Sequence, residues 1–473
     1  MATGNYMGRI TKDIAHIKNG SDLSIAVGYR DSDVRHCRAL IVGPPDTPYE
    51  FGFFEFDITF PKTYPINAPQ VRSMTTNNGR CRFNPNIYAN GKVCLSILGT
   101  WEGEPGEQWS GAQGLESVLL SVQSLMGENP YENEPGFEDY KLENRDAKAY
   151  TQKIRHETLR IAVVQRLEQV LKIGNENGLE NGSPDGDGGH TTVDGNGWIN
   201  DGYDQHGGLD QHEYDAEATY NALNPSPWDP FADLLKRRFL WYYDSYVNTI
   251  TQASKEQKDG TSFRPTAFEG HRNAMEGTFQ YEQLRKRLES IRDALKDETK
   301  VWEAEGIRQM KNAAGLSTQL AFQFKQLQWK WNEGSYDSSR MEIRLADPAN
   351  PFTWSLTVFG KPMTNLDGGI FNLSLSIPPD FPETWPRVYV ETPIFHHRVS
   401  GSTGALCYFP ARPDEIGSHL EAIVHAIEDE QPRYDPRACI NPEASKLFWD
   451  NDKEKRKLYN RKLRRSAQES TEY

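Results

Sequence analysis

The chain has 473 residues and a formal net charge of −14, room for two or three domains at about 150 residues each. Its five cysteines include no CxxC pair, and no two histidines stand at zinc-ligand spacing, which argues against a disulfide framework or structural metal. The acidic balance argues against nucleic acid as the main partner and fits docking on basic protein surfaces. No apolar run is long enough to span a bilayer and no secretory signal follows Met1, so a cytoplasmic or nuclear setting, or both, is expected.

In chain order, Ile10, Ile14 and Ile17 carry helical spacing. Phe54, Phe56, Ile58 and Phe60 then alternate with Glu55, Asp57 and Thr59, the pattern of a strand with one buried face. Pro61 ends that strand, and Pro61 to Pro65 reads as an ordered loop. Leu115, Val118, Leu119, Val122 and Leu125 predict a helix, and a further helix is expected over 146–171. Residues 173–227 are rich in Gly, Asn and Asp and lack Lys and Arg; this segment reads as a flexible acidic linker. A helical extension follows over 228–312. Phe239, Leu240, Tyr243, Tyr246 and Val247 make one stripe, and Leu284, Leu288, Ile291 and Leu295 another. These are expected to pack on each other or on the first block.

The third block, 313–465, repeats the first. At an offset of 317 residues Gly43 meets Gly360, Gly52 meets Gly369, and Phe54, Phe56, Ile58 and Phe60 meet Phe371, Leu373, Leu375 and Ile377. Pro65, Pro69 and Val71 land on Pro382, Pro386 and Val388. The offset then falls to 312, pairing Phe83 with Phe395, and to 313, pairing Cys94 with Cys407. Shared alternation with shared turn residues reads as a duplicated fold. Residues 453–465 are densely basic, and 466–473 are expected to be a disordered tail.

The segment from Phe83 to Leu98 resembles the active-site stretch of ubiquitin-conjugating enzymes, where a His-Pro-Asn turn precedes a cysteine by about eight residues. Asn84-Pro85-Asn86 and Cys94 stand in those places. Tyr64-Pro65, Trp101 and Trp109-Ser110 also follow the family pattern. The resemblance is strongest to its Z-type branch, which has Asn in place of the turn's His, the run Val93 to Trp101, and Glu128-Asn129-Pro130-Tyr131. It continues through 154–158, Tyr242-Tyr243-Asp244 and Phe279-Gln280-Tyr281, and so covers most of residues 1–297.

The resemblance implies an α+β protein: an antiparallel four-stranded sheet with flanking helices, catalytic over 1–172, duplicated, with the helical extension between the copies. It implies a transferase that carries ubiquitin or a ubiquitin-like modifier as a thioester on Cys94. The partners implied are an activating enzyme, a ligase and protein substrates. ATP is used by the activating enzyme, so no bound cofactor is expected. The first helix (9–18), the loop at Ile66 and the segment 109–112 match the family's docking elements, with Gly111 where Pro is usual.

Residue chemistry supports the same reading. A free thiol with a pKa near 8.5 is only a few per cent ionised at neutral pH, so transfer depends on stabilising the oxyanion when an amine attacks. An Asn amide held by a Pro-fixed turn can do this, and Asn86 is the candidate. Asn133 and Glu134 occupy the loop that orients the incoming lysine in the family. Standing alone, a cysteine after a glycine turn is more often a small core residue, and Asn84 and Asn86 could both be satisfying backbone groups. A non-catalytic scaffold binding ubiquitin through both folds is the competing class.

The second module resembles the family more loosely, through Asn350 to Trp354, Gly368 to Phe371, Thr392 to His396 and Asn441 to Ala444. Its turn reads His396-His397-Arg398, with Arg398 in the place of Asn86, and it lacks the Trp-containing flap. Three readings stand open there: a second active site on Cys407, a catalytically dead binding module, or a structural cap.

Overall fold

The structure, a computed structural model, describes residues 6–104, 106–173, 228–269, 275–312, 315–332 and 340–473. The described residues up to Leu171 and from Phe231 onward form one compact unit. Apart from Ile173, the expected acidic linker lies outside the described residues.

In the first module helix α1 (Tyr6–Asn19) precedes strands β1 (Ile25–Arg30), β2 (Asp33–Val42), β3 (Phe53–Thr59) and β4 (Gln70–Ser73), an antiparallel sheet in sequential order. Phe54, Phe56, Ile58 and Phe60 fill its core with Ile10 and Ile14 of α1 and with Leu115, Leu119 and Val122 of α2 (Leu115–Ser124). The opposite face is drier at one end than alternation suggests. Helix α3 (Arg145–Glu157) runs on through a π-helical stretch (Thr158–Gln165) into α4 (Arg166–Leu171), and Arg166 pairs with Glu55. Phe53 and Leu40 are wholly buried there.

The extension supplies α5 (Ala232–Glu256) and α6 (Tyr281–Lys311). Both expected stripes are buried, apart from Val247, which is half-buried. Helix α5 packs on both modules. Towards the first, Tyr246 donates to the Phe51 carbonyl at 2.8 Å and Tyr242 stacks on Phe51. Towards the second, Tyr242 donates to the Arg437 carbonyl, and Asp244 accepts from the Ser400 hydroxyl and the Gly401 amide. Helix α6 reaches the second sheet with its C-terminal half. A Cβ on Gly306 would lie 2.7 Å from the Phe352 ring.

The second module begins with α7 (Gly315–Asn332) and forms the antiparallel sheet β5 (Met341–Asp347), β6 (Asn350–Phe359), β7 (Ile370–Ser376) and β8 (Arg387–Val390). The two sheets share their pairing register at the offset of 317. Val42 faces Phe53 where Phe359 faces Ile370, and Ile58 faces Val71 where Leu375 faces Val388. The turns agree as well: Gly43 donates to Gly52 and Gly360 to Gly369. In each turn a Cβ on the first glycine would strike a backbone carbonyl, Tyr49 or Leu366, under 2 Å away. This is one fold used twice. Helices α8 (Ile416–Glu428), α9 (Pro442–Phe448) and α10 (Lys453–Glu469) complete it.

The expected disordered tail is corrected. Residues 466–469 end α10, and a 3-10 turn follows over Ser470–Glu472. Tyr459, Leu463, Ala467 and Ser470 are buried at helical spacing, and the Ser470 hydroxyl accepts from the Ile370 amide at 2.8 Å. The stripe extends into the tail because small residues fit where the helix meets β7. Among the described residues no helix is long and apolar enough to cross a membrane.

Candidate functional site

Cys94 ends a tight two-stranded ribbon. Tyr88 N–H donates to Lys92, Cys94 N–H donates to Asn86 at 2.8 Å, and Ile87 bridges Val93. The turn between needs Gly91, at φ 91°, where a Cβ would meet the Ser73 carbonyl. Side chains alternate across such a ribbon. Ile87 and Val93 point into the core, so Asn86, Tyr88, Lys92 and Cys94 share the other face.

The turn before it is built from buried polar groups. Asn84 is wholly buried; its carbonyl accepts from the Asn86 amide N–H at 2.9 Å, and its NH₂ donates to the Leu125 carbonyl and the Tyr49 hydroxyl. Asn86 is half-buried, and its side-chain NH₂ donates to the Cys94 carbonyl at 3.1 Å. The amide is thereby held beside the cysteine with a second N–H in its fork. The other flank is a flap, in which Thr100 receives the Leu95 amide and donates to the Val93 carbonyl, and Ser96 donates to Glu107. Cys94 itself is 4% exposed.

The structure brings Asn86 to Cys94 and places the other two expected residues behind them. Asn133 donates to the Leu125 carbonyl, the acceptor that Asn84 also uses, and Glu134 pairs with Arg82 at 3.2 Å. Sequence reasoning missed two residues. Burial, and after it the neighbouring Cys94, push the Tyr88 hydroxyl above its ordinary pKa. Arg82 lies with its guanidinium over the Tyr88 ring, 4.6 Å from the centroid. Tyr88 was legible as the residue two beyond Asn86 in an alternating ribbon; Arg82 had no signal in the sequence.

Cys37 and Cys81 are buried, and burial raises both thiols; Cys81 Sγ lies against Met275 Sδ at 3.3 Å. The three expected docking segments meet. Arg9 donates to the Gln113 and Gly111 carbonyls, Trp109 donates to the Pro65 carbonyl, and Ile66 beside it is 75% exposed.

The second module repeats the turn but seals its cysteine. Cys407 N–H donates to Arg398, and Arg398 N–H donates to His396 Nδ1, as the Asn86 amide does to Asn84. Cys407 is 0% exposed, and burial pushes its thiol up to about 12. Trp241 of α5 donates to the adjacent Leu406 carbonyl. The Cys407 thiol therefore lies under α5, a helix contributed from far upstream, where Cys94 lies beside a flap of its own module. Arg398 lies 4.0 Å from Asp429 rather than bonding the cysteine as Asn86 does.

Residues 9–158 and 324–464 both match the family model described as ubiquitin-conjugating enzyme. Ubiquitin-conjugating enzyme E2 Z of Xenopus tropicalis is 54% identical over 167 residues, 35% of this chain and 52% of that protein. The Homo sapiens protein of the same name is 52% identical over 160 residues, 34% of this chain and 44% of its own length. The chain thus spans about half the length of these curated relatives. The human dual E2 ubiquitin-conjugating enzyme/E3 ubiquitin-protein ligase BIRC6 is 44% identical over 135 residues, 28% of this chain and 3% of that one. With two sheets in one register, two matching turns and a family match over both modules, this chain belongs to the ubiquitin-conjugating enzyme family.

Proposed function

We propose that Cys94 accepts ubiquitin or a ubiquitin-like modifier from an activating enzyme as a thioester, and passes it to a substrate lysine or a ligase cysteine. The reading is carried by the shared ribbon face of Asn86, Tyr88 and Cys94. On charging, the Cys94 thiolate attacks the modifier's thioester carbonyl and the activating enzyme's thiolate leaves. On discharge a neutral lysine amine attacks, the C–S bond breaks with Cys94 leaving as the thiolate, an isopeptide forms, and the proton the amine releases restores the Cys94 thiol. Negative charge collects on the carbonyl oxygen in between, and the free N–H of Asn86 beside the cysteine suits it as donor. Tyr88, whose hydroxyl burial raises above its ordinary pKa, stands protonated as a donor on the face it shares with Cys94. ATP is spent by the activating enzyme, and this chain needs no cofactor of its own. The second module serves without its cysteine.

The test is charging with activating enzyme, ATP and ubiquitin. A thiol-sensitive adduct is expected on the wild type, a thiol-resistant oxyester on Cys94→Ser and none on Cys94→Ala. No adduct on the wild type, or an unchanged one on Cys94→Ala, would return the chain to the class of non-catalytic scaffolds.

A further inference from the structure

We propose that Arg82 is a positioning residue, tying the loop of the helical extension to the Cys94 face so that an incoming amine meets the thioester in one geometry. The proposal rests on the reading of Cys94 as a thioester carrier.

Arg82 is 8% exposed and stands two residues before Asn84. Its Nη2 donates to the Pro85 carbonyl at 2.5 Å and to Glu134 at 3.2 Å, and its Nη1 donates to the Phe268 carbonyl at 3.2 Å. The guanidinium carbon lies 4.6 Å from the Tyr88 ring centroid and 5.3 Å from that of Phe268. Four pieces of chain therefore meet on one cation. These are the Asn-Pro-Asn turn, the ribbon face, the loop after α2, and the loop joining α5 to α6.

The first two carry or flank the Cys94 face, and the third is tied to the turn that holds Asn86. Pro85 precedes Asn86, Tyr88 shares the ribbon face of Cys94, and Asn133, before Glu134, bonds the Leu125 carbonyl that Asn84 also uses. The fourth is anchored independently. The Phe268 ring packs among Tyr131, Tyr150 and Phe137, and the next residue, Glu269, forms a buried ion pair with Lys153 at 2.7 Å. A planar guanidinium fixes the angles between its acceptors, which a lysine ammonium does not. The module that carries Cys94 thus has a strut outside its own fold. Displacement of about 1 Å at a reacting centre can cost on the order of 100-fold in rate.

The full chain and its variants Arg82→Met, Arg82→Lys and Phe268→Ala are charged with activating enzyme, ATP and ubiquitin. ATP is then removed, and single-turnover discharge is followed against free lysine concentration and against hydroxylamine. All are expected to charge. At saturating lysine, Arg82→Met and Phe268→Ala discharge roughly 10- to 100-fold more slowly than wild type, and Arg82→Lys recovers part of the loss. Hydroxylamine, a small nucleophile with little need of orientation, discharges all four at similar rates. Wild-type rates with lysine in Arg82→Met overturn the proposal, as does an equal slowing with both nucleophiles that tracks a fall in melting temperature. Should Arg82→Met not fold, the other two variants make the same comparison. A wild type that does not charge refutes the Cys94 reading itself, and a wild type that charges leaves Arg82 alone on trial.

Discussion

The indole N–H of Trp241 donates to the Leu406 carbonyl at 3.1 Å, so a helix from the extension is latched to the residue beside Cys407. Trp241 also meets Phe409 edge to face, and Tyr242 continues to the Arg437 carbonyl. In the native chain Cys407 is expected to resist alkylation, and Cys407→Ser to charge at the wild-type rate. Mass spectrometry after a short iodoacetamide pulse checks the first, and the charging assay the second. Trp241→Ala should speed labelling of Cys407 selectively.

At the Cys94 site the amide of Asn86 is the sharper probe. Asn86→Ala is expected to slow lysine discharge by about 10²–10³, the usual cost of one oxyanion donor, while charging falls less. Asn86→Asp, with the same shape but no N–H, should be as slow. Because the Tyr88 hydroxyl is raised above its ordinary pKa of 10, it stays protonated across about pH 6–9. Tyr88→Phe is therefore expected to lower the discharge rate without changing the shape of its pH profile over that range.

Asp233 ties α5 to the second sheet through Arg387 at 2.8 Å, and within α5 it pairs with Arg237, also at 2.8 Å. Burial opposes its charge, and the two guanidinium groups outweigh that, holding its carboxyl at about 2 against an ordinary 3.8. A carboxyl depressed in the fold stabilises above its unfolded pKa and loses that contribution as the pH falls through the folded one. Stability should drop between about pH 4 and pH 2, and Asp233→Asn should flatten that slope. The variant takes the carboxylate from Arg237 and leaves Arg387 with Glu298 at 3.8 Å, and is expected to cost up to about 3–5 kcal/mol at neutral pH. Urea midpoints across pH measure both.

Gly306 is the contact on which α6 rests against β6. Alanine would ordinarily strengthen a helix by about 1 kcal/mol, but here its Cβ would lie 2.7 Å from the Phe352 ring and 2.9 Å from Asn350 Oδ1. Gly306→Ala is expected to destabilise by about 1–3 kcal/mol, and Gly306→Leu by more. Thermal melts of the two variants decide this.

The tail is structural. Removing residues 466–473 takes away the hydroxyls that receive the Phe395 and Ile370 amides, and the buried Ala467. Truncation before Ser466 should lower the melting temperature, with each amide left without its partner costing about 1–3 kcal/mol.

The sheet and its repetition were legible because alternation and turn glycines are local signals. Phe54 to Phe60 and Phe371 to Ile377 each fix a face, and Gly43 and Gly360 each fix a turn. Asn86 and Cys94 were legible from their spacing around a proline turn. The rest depends on partners distant in sequence. Trp241 bonds the carbonyl beside Cys407, Phe268 receives Arg82, and Arg166 pairs with Glu55, and none of these pairs is visible in a window around either member. The tail was misread because Ser466, Ala467 and Ser470 are small, and small residues carry little hydropathy even when they pack closely.

Helix α6 has a consequence at larger scale. Its 31 residues, about 46 Å at 1.5 Å each, are gripped by α5 at one end and by the second sheet at the other. The two modules are therefore braced by a common beam. Cys94 thus keeps one distance and one angle to the second sheet, as a drill head does to the jig that carries it.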